Sequence, residues 1–161
     1  MIQDFCDLTE PQQIEVLSWR NHPDVRKWQF NGDPIELEPH LSFVRSLMHR
    51  RSSDRYWRIG DTGVVYLNRI SEVHQHAYLG MYANPFKAER GRGDALMGEL
   101  CRQGFDELKL HSIRLEVFEN NERAFRLYGR HGFKEEGRLA SHIYFDGKWV
   151  SLIVMGRLSE P

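Results

Sequence analysis

The segment NPFKAERGRGDALMGEL, residues 84–100, is the feature that most restricts how this chain can fold. A strand-like stretch ends at Pro85, the glycine-rich turn RGRG follows at positions 90–93, and the next residues have the spacing of a helix with one apolar face. The first backbone N–H groups of a helix have no partner within it, and the helix dipole favours negative charge there. The turn is therefore a candidate anion-binding site.

Three kinds of nucleotide-binding turn contain glycines in this arrangement. A Walker loop requires Lys followed by Ser or Thr after its last glycine, whereas Gly93 is followed by Asp94. A dinucleotide-binding turn requires a third glycine where this chain has Leu96. The form Arg/Gln-x-x-Gly-x-Gly/Ala matches the residues from Arg90 to Ala95 and is typical of turns that bind the pyrophosphate of coenzyme A. A surface turn with solvated arginines is the alternative that the turn alone leaves open.

Hydrophobic periodicity predicts an α/β (α+β) fold in which about four helices flank a mixed, mostly antiparallel sheet of about seven strands. The first half is predicted to contain a strand at Ile2–Asp7, a helix from Thr9 to about Trp19 that Pro23 ends, a helix at Glu38–His49, two strands around the turn at 60–63 and a strand ending before Pro85. The second half is predicted to contain helices at Gly93–Leu108 and Asn121–Arg130, the strand SIRLEVF between them, and two final strands about Asp146-Gly147.

Composition narrows the function classes. The 161 residues favour a single domain, and 22 Lys and Arg balance 23 Asp and Glu, so we expect no nucleic-acid or membrane partner. No stretch resembles a signal peptide or a membrane span, which predicts a cytoplasmic protein. Cys6 and Cys101 are far apart, and His74 and His76 have no evident third ligand, so we predict neither a disulfide nor a metal site.

A second motif follows the next strand. The segment ENNERAFRLYGRHGF, residues 119–133, places Ala124, Leu127 and Tyr128 on one helix face, and periodicity alone makes Tyr128 a buried aromatic residue with its hydroxyl at an edge. Together with the glycine turn upstream, this segment resembles the GCN5-related N-acetyltransferase (GNAT) family. The resemblance implies one acetyltransferase domain, with an acceptor-binding half at 1–75, an acetyl-CoA-binding core at 76–133 and a C-terminal strand pair at 134–161.

The resemblance also implies roles for individual residues. The residues expected at acetyl-CoA are Met81, Tyr82, Arg90, Gly91, Arg92, Gly93, Asp94, Ala95, Asn121, Phe125 and Tyr128. Tyr128 would be the general acid that protonates the departing thiolate, a role that suits a phenol with a pKa of about 10. Glu116, which alternates with apolar neighbours in its strand, would be the base for the attacking amine; a solvent-facing strand glutamate is the alternative.

The segments WRNHPDVRKW and PHLSFVRSL in the first half, together with YLGMYANPF, LHSIRLEVFENN and EGRL further along, resemble one subgroup of this family over nearly the whole chain. That subgroup acetylates a UDP-linked 4-amino-4,6-dideoxy sugar in pseudaminic acid biosynthesis for flagellin glycosylation. The resemblance implies that the nucleotide sugar would contact Arg20, His40, Asn68, Arg69 and Tyr82. Arg20 can instead belong to a helix end, and Asn68 and Arg69 can be solvated strand residues. A protein N-terminal acetyltransferase and a non-catalytic acyl-CoA-binding module remain as alternatives, and a homodimer stays open.

Overall fold

The computed structural model describes the whole chain, Met1–Pro161. Its strands are β1 (Ile2–Asp4), β2 (Arg55–Ile59), β3 (Gly63–Ser71), β4 (His76–Ala83), β5 (Ser112–Phe118), β6 (Lys134–Phe145) and β7 (Lys148–Leu158), and its helices are α1 (Glu10–Asn21), α2 (Pro23–Arg26), α3 (Leu37–Ser46), α4 (Arg92–Cys101) and α5 (Glu122–Arg130). Short 3₁₀ turns follow β1 and α3, and α4 continues into a π-helical turn at Arg102–Glu107. None of these helices has both the length and the apolar character that crossing a membrane requires.

All seven strands form one sheet in the order β1-β2-β3-β4-β5-β7-β6. Only β4 and β5 are parallel, and every other neighbouring pair is antiparallel, so the predicted mixed sheet is confirmed. The pairing of β4 with β5 ends at Tyr78 and Arg114, although both strands continue for several residues beyond this pair. The two strands therefore separate in the middle of the sheet and leave a gap with unpaired backbone on both sides.

Apolar residues cover both faces of the sheet. On one face the main core joins β3, β4, β5 and β7 to α4, with Leu96, Met97 and Leu100 fully buried. On the other face a smaller core joins Phe5, Trp19 and Val44 to the β1–β3 end of the sheet, and Tyr82 of β4 packs against it.

Local sequence signals set the helix boundaries. Thr9 and Gln12 form a reciprocal capping box at the start of α1, in which each side chain accepts a hydrogen bond from the other residue's backbone N–H. The side chain of Asn121 accepts a hydrogen bond from the N–H of Ala124 and caps α5, which is followed by Gly132 in the left-handed conformation. The predicted start and end of α5 are therefore correct to within one residue.

The expectation that Pro23 simply ends a helix is incomplete. Pro23 also begins α2, because a proline at the first position of a helix lacks an N–H that would have no partner there, and the His22 ring caps this helix by accepting from the N–H of Asp24. The predicted helix over Gly93–Leu108 is correct in extent, but its last part is the π-helical turn. The predicted helix at Glu38–His49 ends earlier, because Leu47–His49 form a 3₁₀ turn in which Met48 is largely exposed.

Candidate active site

A cleft of about 640 Å³ occupies the gap between β4 and β5. The glycine turn and the start of α4 form one end of it, α5 forms one side, and residues 24–30 after α1 form the other end. The predicted site residues that line this cleft are Met81, Tyr82, Gly91, Arg92, Gly93, Asp94, Glu116, Asn121 and Tyr128. The separation of two parallel strands thus brings together residues that are distant in the sequence.

The glycine turn presents free backbone donors to the cleft. Gly91 has φ +78°, a left-handed conformation that favours glycine, and no side chain caps the helix that follows it. The first hydrogen bond of α4 runs from the N–H of Ala95 to the carbonyl of Gly91 at 3.0 Å, which leaves the N–H groups of Arg92, Gly93 and Asp94 without helical partners. The space around the missing side chain of Gly91 is open. An anion can therefore approach these amides closely.

The two arginines of the turn differ in their surroundings. The Arg92 guanidinium folds back onto the loop, where it donates to the carbonyls of Glu89 and Asn84, so it stabilises the turn. Asn84 is buried, and its side chain donates to the carbonyl of Asp61 and accepts from the N–H of Phe86. Sequence reasoning gave this residue no role. Arg90 is exposed and has no partner within the protein. Of these two side chains, only that of Arg90 is entirely free for an incoming phosphate.

Gly93 and Asp94 connect the turn to α5. A Cβ atom on Gly93 would lie 2.9 Å from a methyl group of Leu127, so this glycine allows α4 and α5 to approach closely. Asp94 bonds to the Arg130 guanidinium at 3.2 Å and to the His131 ring at 2.9 Å, and these hydrogen bonds, that of His131 above all, lower the pKa of the Asp94 carboxyl. Of the two glycines, Gly91 therefore leaves open space for a phosphate, and Gly93 serves the packing of α4 against α5.

Helix α5 carries the predicted acid into the cleft. Tyr128 is partly buried, and burial together with a nearby Tyr66 raises the pKa of the Tyr128 hydroxyl well above its ordinary value, so it stays protonated. Its hydroxyl makes no hydrogen bond within the protein and is therefore free to donate. Asn121 lines the cleft, but its side-chain oxygen is used to cap α5. Phe125 packs against the main core and lies outside the cleft lining.

Glu116 lies on β5 at the opposite wall of the cleft. Its carboxylate accepts a hydrogen bond from the Arg69 guanidinium, whose nitrogen is 3.2 Å away. Arg69 has φ +50° at an irregularity of β3, and its guanidinium stacks 3.5 Å above the ring of Tyr78. The structure therefore holds the partly buried Glu116 carboxyl group in a defined orientation, with the Arg69 guanidinium against it.

The remaining predicted acceptor residues lie behind the cleft. Arg20 donates to the carbonyl of Asn31 at 3.0 Å, its other terminal nitrogen is buried without a partner, and burial lowers the pKa of its guanidinium. His40 is buried, with its Nε2 2.9 Å from the carbonyl of Gln13, so it joins α3 to α1 and does not reach the cleft. Asn68 lies on β3, also outside the cleft lining.

Sequence reasoning missed an aromatic wall at the end of the cleft that residues 24–30 form. Trp28 and Phe30 pack against Phe118, with ring centroids 6.4 Å and 5.5 Å away, and Phe145 from the β6–β7 hairpin packs against Phe118 from its other side at 5.5 Å. We define Trp28, Phe30 and Phe118 as the aromatic wall. Trp28 and Phe30 come from the loop after α2, and Phe118 comes from the end of β5, so no sequence pattern links the loop residues to Phe118. Arg123 of α5, which also lines the cleft, was missed as well.

Residues 8–134 match the family model described as the acetyltransferase (GNAT) domain. The chain belongs to the GNAT acetyltransferase family. GNAT enzymes use acetyl-CoA, so this chain is an acetyl-CoA-dependent N-acetyltransferase, as the glycine turn and the α5 motif predicted.

Among GNAT relatives, acetyltransferase PseH of Campylobacter jejuni (strain 81-176) is 30% identical over 82% of this chain and 83% of its own length. Spermidine N(1)-acetyltransferase of Vibrio cholerae is 31% identical over 80% of this chain and 77% of its own length. The crystal structure of the Vibrio cholerae spermidine N-acetyltransferase with CoA and spermine superimposes with a TM-score of 0.88 at 22% identity, covering 99% of this chain and 95% of that one, which shows the same fold.

The GNAT cosubstrate fits the residues present here. The three free amides after the open Gly91 suit a pyrophosphate, and the unpaired edge of β4 at Met81 and Tyr82 can hydrogen-bond to an extended amide chain. When bound, acetyl-CoA supplies an activated acetyl group. The arrangement then offers a carboxylate on one wall of the cleft and a protonated phenol on α5.

Proposed function

We propose that this enzyme acetylates the primary amine of a nucleotide-linked amino sugar, in line with the resemblance to the subgroup that acetylates a UDP-4-amino-4,6-dideoxy sugar. The observation that carries the proposal is the aromatic wall. Trp28 and Phe30 are each more than one third exposed at the mouth of the cleft, and planar aromatic rings there suit a nucleobase or the apolar face of a sugar. Similarity to acetyltransferase PseH supports it.

The charges at the acceptor end of the cleft also favour this substrate over a polyamine. A polycationic acceptor would require carboxylates that are free to pair with its ammonium groups. Here the two carboxylates at that end already face cations of the protein: Glu116 lies 3.2 Å from Arg69, and Asp24 lies 3.8 Å from Lys27. The Lys27 ammonium group lies 5.7 Å from the centre of the Trp28 ring, beside the aromatic wall, where it can attract a phosphate.

The proposed roles of the site residues follow from their positions. The amides of Arg92, Gly93 and Asp94 hold the pyrophosphate of acetyl-CoA, and the aromatic wall orients the acceptor. Glu116 takes a proton from the amine, and Tyr128 gives a proton to the sulfur of the leaving CoA. Burial raises the pKa of Tyr128 and keeps its proton available for this transfer.

Arg20 is proposed to act on the acceptor through the segment that carries the wall. Its hydrogen bond to the carbonyl of Asn31, with that of Arg26 to the carbonyl of Gly32, holds the chain that follows Trp28. Arg20→Ala is therefore expected to raise the KM of the acceptor about tenfold or more, since hydrogen bonds to charged groups contribute about 1.5–3 kcal/mol, and to leave the KM of acetyl-CoA unchanged. An equal rise in both would assign Arg20 a general structural role.

The deciding experiment measures release of the CoA thiol with a panel of amines. The panel contains a UDP-4-amino-4,6-dideoxy sugar, spermidine and a peptide with a free N-terminus, and UDP alone serves as an inhibitor. We expect the nucleotide sugar to give the highest kcat/KM and UDP to compete with the amine. Higher turnover of spermidine, with no effect of UDP, would overturn the proposal and favour the activity of the spermidine acetyltransferase relatives.

A matched pair of tryptophan variants tests the wall itself. Trp28→Ala removes a ring from the cleft, whereas Trp149→Ala removes an exposed ring from the β6–β7 hairpin outside the cleft. Loss of base stacking typically costs about 1–3 kcal/mol, so we expect Trp28→Ala to raise the KM of the nucleotide sugar about tenfold or more. Trp149→Ala should leave it unchanged. Equal effects of the two variants would remove the wall from the acceptor site.

A further inference from the structure

A row of residues crosses the sheet on the face beside the gap. Tyr56 of β2 pairs with Tyr66 of β3, and Tyr66 pairs with Gly80 of β4. The last pair between β4 and β5 joins Tyr78 to Arg114, so Gly80, two residues further along, is level with Glu116. Their neighbours Leu79 and Leu115 point into the main core on the other face. Tyr66, Gly80 and Glu116 therefore share one face at the point where the strands separate.

Gly80 makes room for the Tyr66 ring. A Cβ atom on Gly80 would lie 2.0 Å from Cζ and 2.2 Å from the hydroxyl oxygen of Tyr66, so the tip of this ring lies directly over the β4 backbone. The backbone of Gly80 does not have the positive φ that would itself favour glycine. The absence of a side chain at this position therefore serves to bring a phenol hydroxyl across β4 to the edge of the gap.

The Tyr66 ring is fixed in place while its hydroxyl is left free. The ring of Tyr56 stacks on it with centroids 4.6 Å apart and planes 14° from parallel. The Tyr66 hydroxyl makes no hydrogen bond with any protein atom, although burial raises its pKa and keeps it neutral. Tyr66 lies behind the lining of the cleft and not in it, but it is near enough to Tyr128, which lines the cleft, to raise the pKa of that residue. A neutral phenol oxygen without a partner at this place can accept a hydrogen bond from a substrate group that reaches it.

Orienting the attacking amine requires a second hydrogen-bond acceptor besides Glu116. A neutral primary amine has two N–H bonds and one lone pair, and it reacts only when the lone pair points at the thioester carbonyl. Hydrogen bonds from both N–H groups to fixed acceptors would orient it in this way. The Glu116 carboxylate is one such acceptor on this face of the sheet, and the Tyr66 hydroxyl oxygen is a second.

We propose that Tyr66 is a further catalytic residue, whose hydroxyl oxygen accepts one N–H of the attacking amine while Glu116 accepts the other. The inference rests on transfer of acetyl to a primary amine and not on the identity of the amine. In the step, the N–C bond forms and the C–S bond breaks. The proton that leaves the amine goes to Glu116, the thiolate takes a proton from Tyr128, and the N–H bonded to Tyr66 remains in the amide product.

The test compares Tyr66→Phe with the matched control Tyr56→Phe. Both variants remove one oxygen and keep a stacked ring, but only the Tyr66 hydroxyl lies over β4. With the amine that gives the highest turnover in the panel, we expect Tyr66→Phe to lower kcat about tenfold and Tyr56→Phe to change it less than about twofold. The KM of acetyl-CoA and the melting temperature should be close to those of the parent for both variants.

Gly80→Ala provides a second, independent measurement. The added methyl group would collide with the ring tip and displace the hydroxyl, so kcat should fall about as far as in Tyr66→Phe. Because both changes remove the same contact, the double variant should lose much less than the product of the two single losses. If Gly80→Ala does not fold, Tyr66→Phe alone decides.

The results of these experiments distinguish a failure of the proposed role of Tyr66 from a failure of the proposed substrate. A panel in which spermidine or a peptide is the best acceptor would overturn the proposed function, and the effect of Tyr66→Phe would still be measured with that amine. Parental kcat in a folded Tyr66→Phe variant would overturn the role of Tyr66, whichever amine is used. An equal loss in Tyr56→Phe would also overturn it, because it would show that the aromatic stack and not the hydroxyl matters.

Discussion

At the scale of single residues, two groups with different chemistry meet in the cleft from different elements. Tyr128 comes from α5 on one side, and Glu116 comes from β5 beside the gap. Burial keeps the phenol protonated by raising its pKa, while Arg69 faces the carboxylate with its positive charge. An acid and a base of this kind can be tested separately, because each is affected by a nearly isosteric substitution.

Tyr128→Phe removes the hydroxyl of the proposed acid and keeps the ring. We expect turnover to fall about 100-fold, the lower end of the usual range for general acid catalysis, because a thiolate with a pKa near 8.5 can leave slowly without assistance. Acetyl-CoA affinity should be nearly unchanged. The measurement is kcat with calorimetric CoA affinity, and Tyr144→Phe, an exposed tyrosine outside the cleft, is the control. Near-parental turnover would remove Tyr128 from the mechanism.

Glu116→Gln removes the proposed base and keeps the contact with Arg69, since an amide oxygen can accept the same hydrogen bond. We expect kcat to fall about 100-fold or more and the acidic limb of the pH–rate profile to flatten. Glu119→Gln is the control, because Glu119 also bonds to an arginine, Arg138, but lies outside the cleft lining. An unaltered profile in Glu116→Gln would show that the substrate amine alone sets that limb.

At the scale of elements, the glycine turn and α4 allow a comparison of three glycines. Gly91 is left-handed, Gly93 faces Leu127, and Gly98 lies within α4 with open space around it. Gly91→Ala forces a side chain into the left-handed conformation at a cost of about 1 kcal/mol and should displace the free amides. We therefore expect acetyl-CoA affinity, measured by calorimetry, to fall about tenfold.

Gly98→Ala is the matched control for that variant. Alanine in a helix interior is favoured over glycine, so the free energy of unfolding should rise by about 0.5–1 kcal/mol while acetyl-CoA affinity stays constant. If Gly91→Ala binds acetyl-CoA as tightly as Gly98→Ala does, the left-handed turn is not needed for binding. The comparison separates the effect of the turn from a general effect of added methyl groups.

Most elements of this fold were predictable because their signals are local. Alternation gave β5, and the cap at Asn121 with Gly132 gave α5, almost to the residue. The gap between β4 and β5 was not predictable, because both strands have ordinary strand patterns and part only in the packed sheet. The role of Gly80 depends on strand register, and Arg69 meets Glu116 only across the neighbouring strand, so neither has a signature in sequence spacing.

At the scale of the whole molecule, the N-terminal half of the chain depends on contacts between helices that do not touch the cleft. His40 of α3 is buried and its Nε2 lies 2.9 Å from the Gln13 carbonyl in α1. Both helices cover the β1–β3 end of the sheet, and α1 ends at Arg20 and Asn21, next to the segment that carries the aromatic wall. Weakening the contact between these helices would therefore lower the free energy of unfolding first and affect the proposed acceptor site second.

Burial of His40 predicts a loss of stability in acid. Desolvation lowers the pKa of His40 from its ordinary value of 6.5, although the hydrogen bond to Gln13 opposes this. As the pH falls below about 6.5, the unfolded chain binds a proton at this histidine before the folded chain does, so the free energy of unfolding decreases until the pH reaches the lower pKa of the folded state.

His40→Gln keeps a donor for the Gln13 carbonyl but cannot titrate. Urea unfolding between about pH 7.5 and 5 should give a shallower pH dependence for His40→Gln than for the parent. Equal slopes would assign the acid sensitivity to other groups, and the acidic limb attributed to Glu116 must be measured where the parent remains folded.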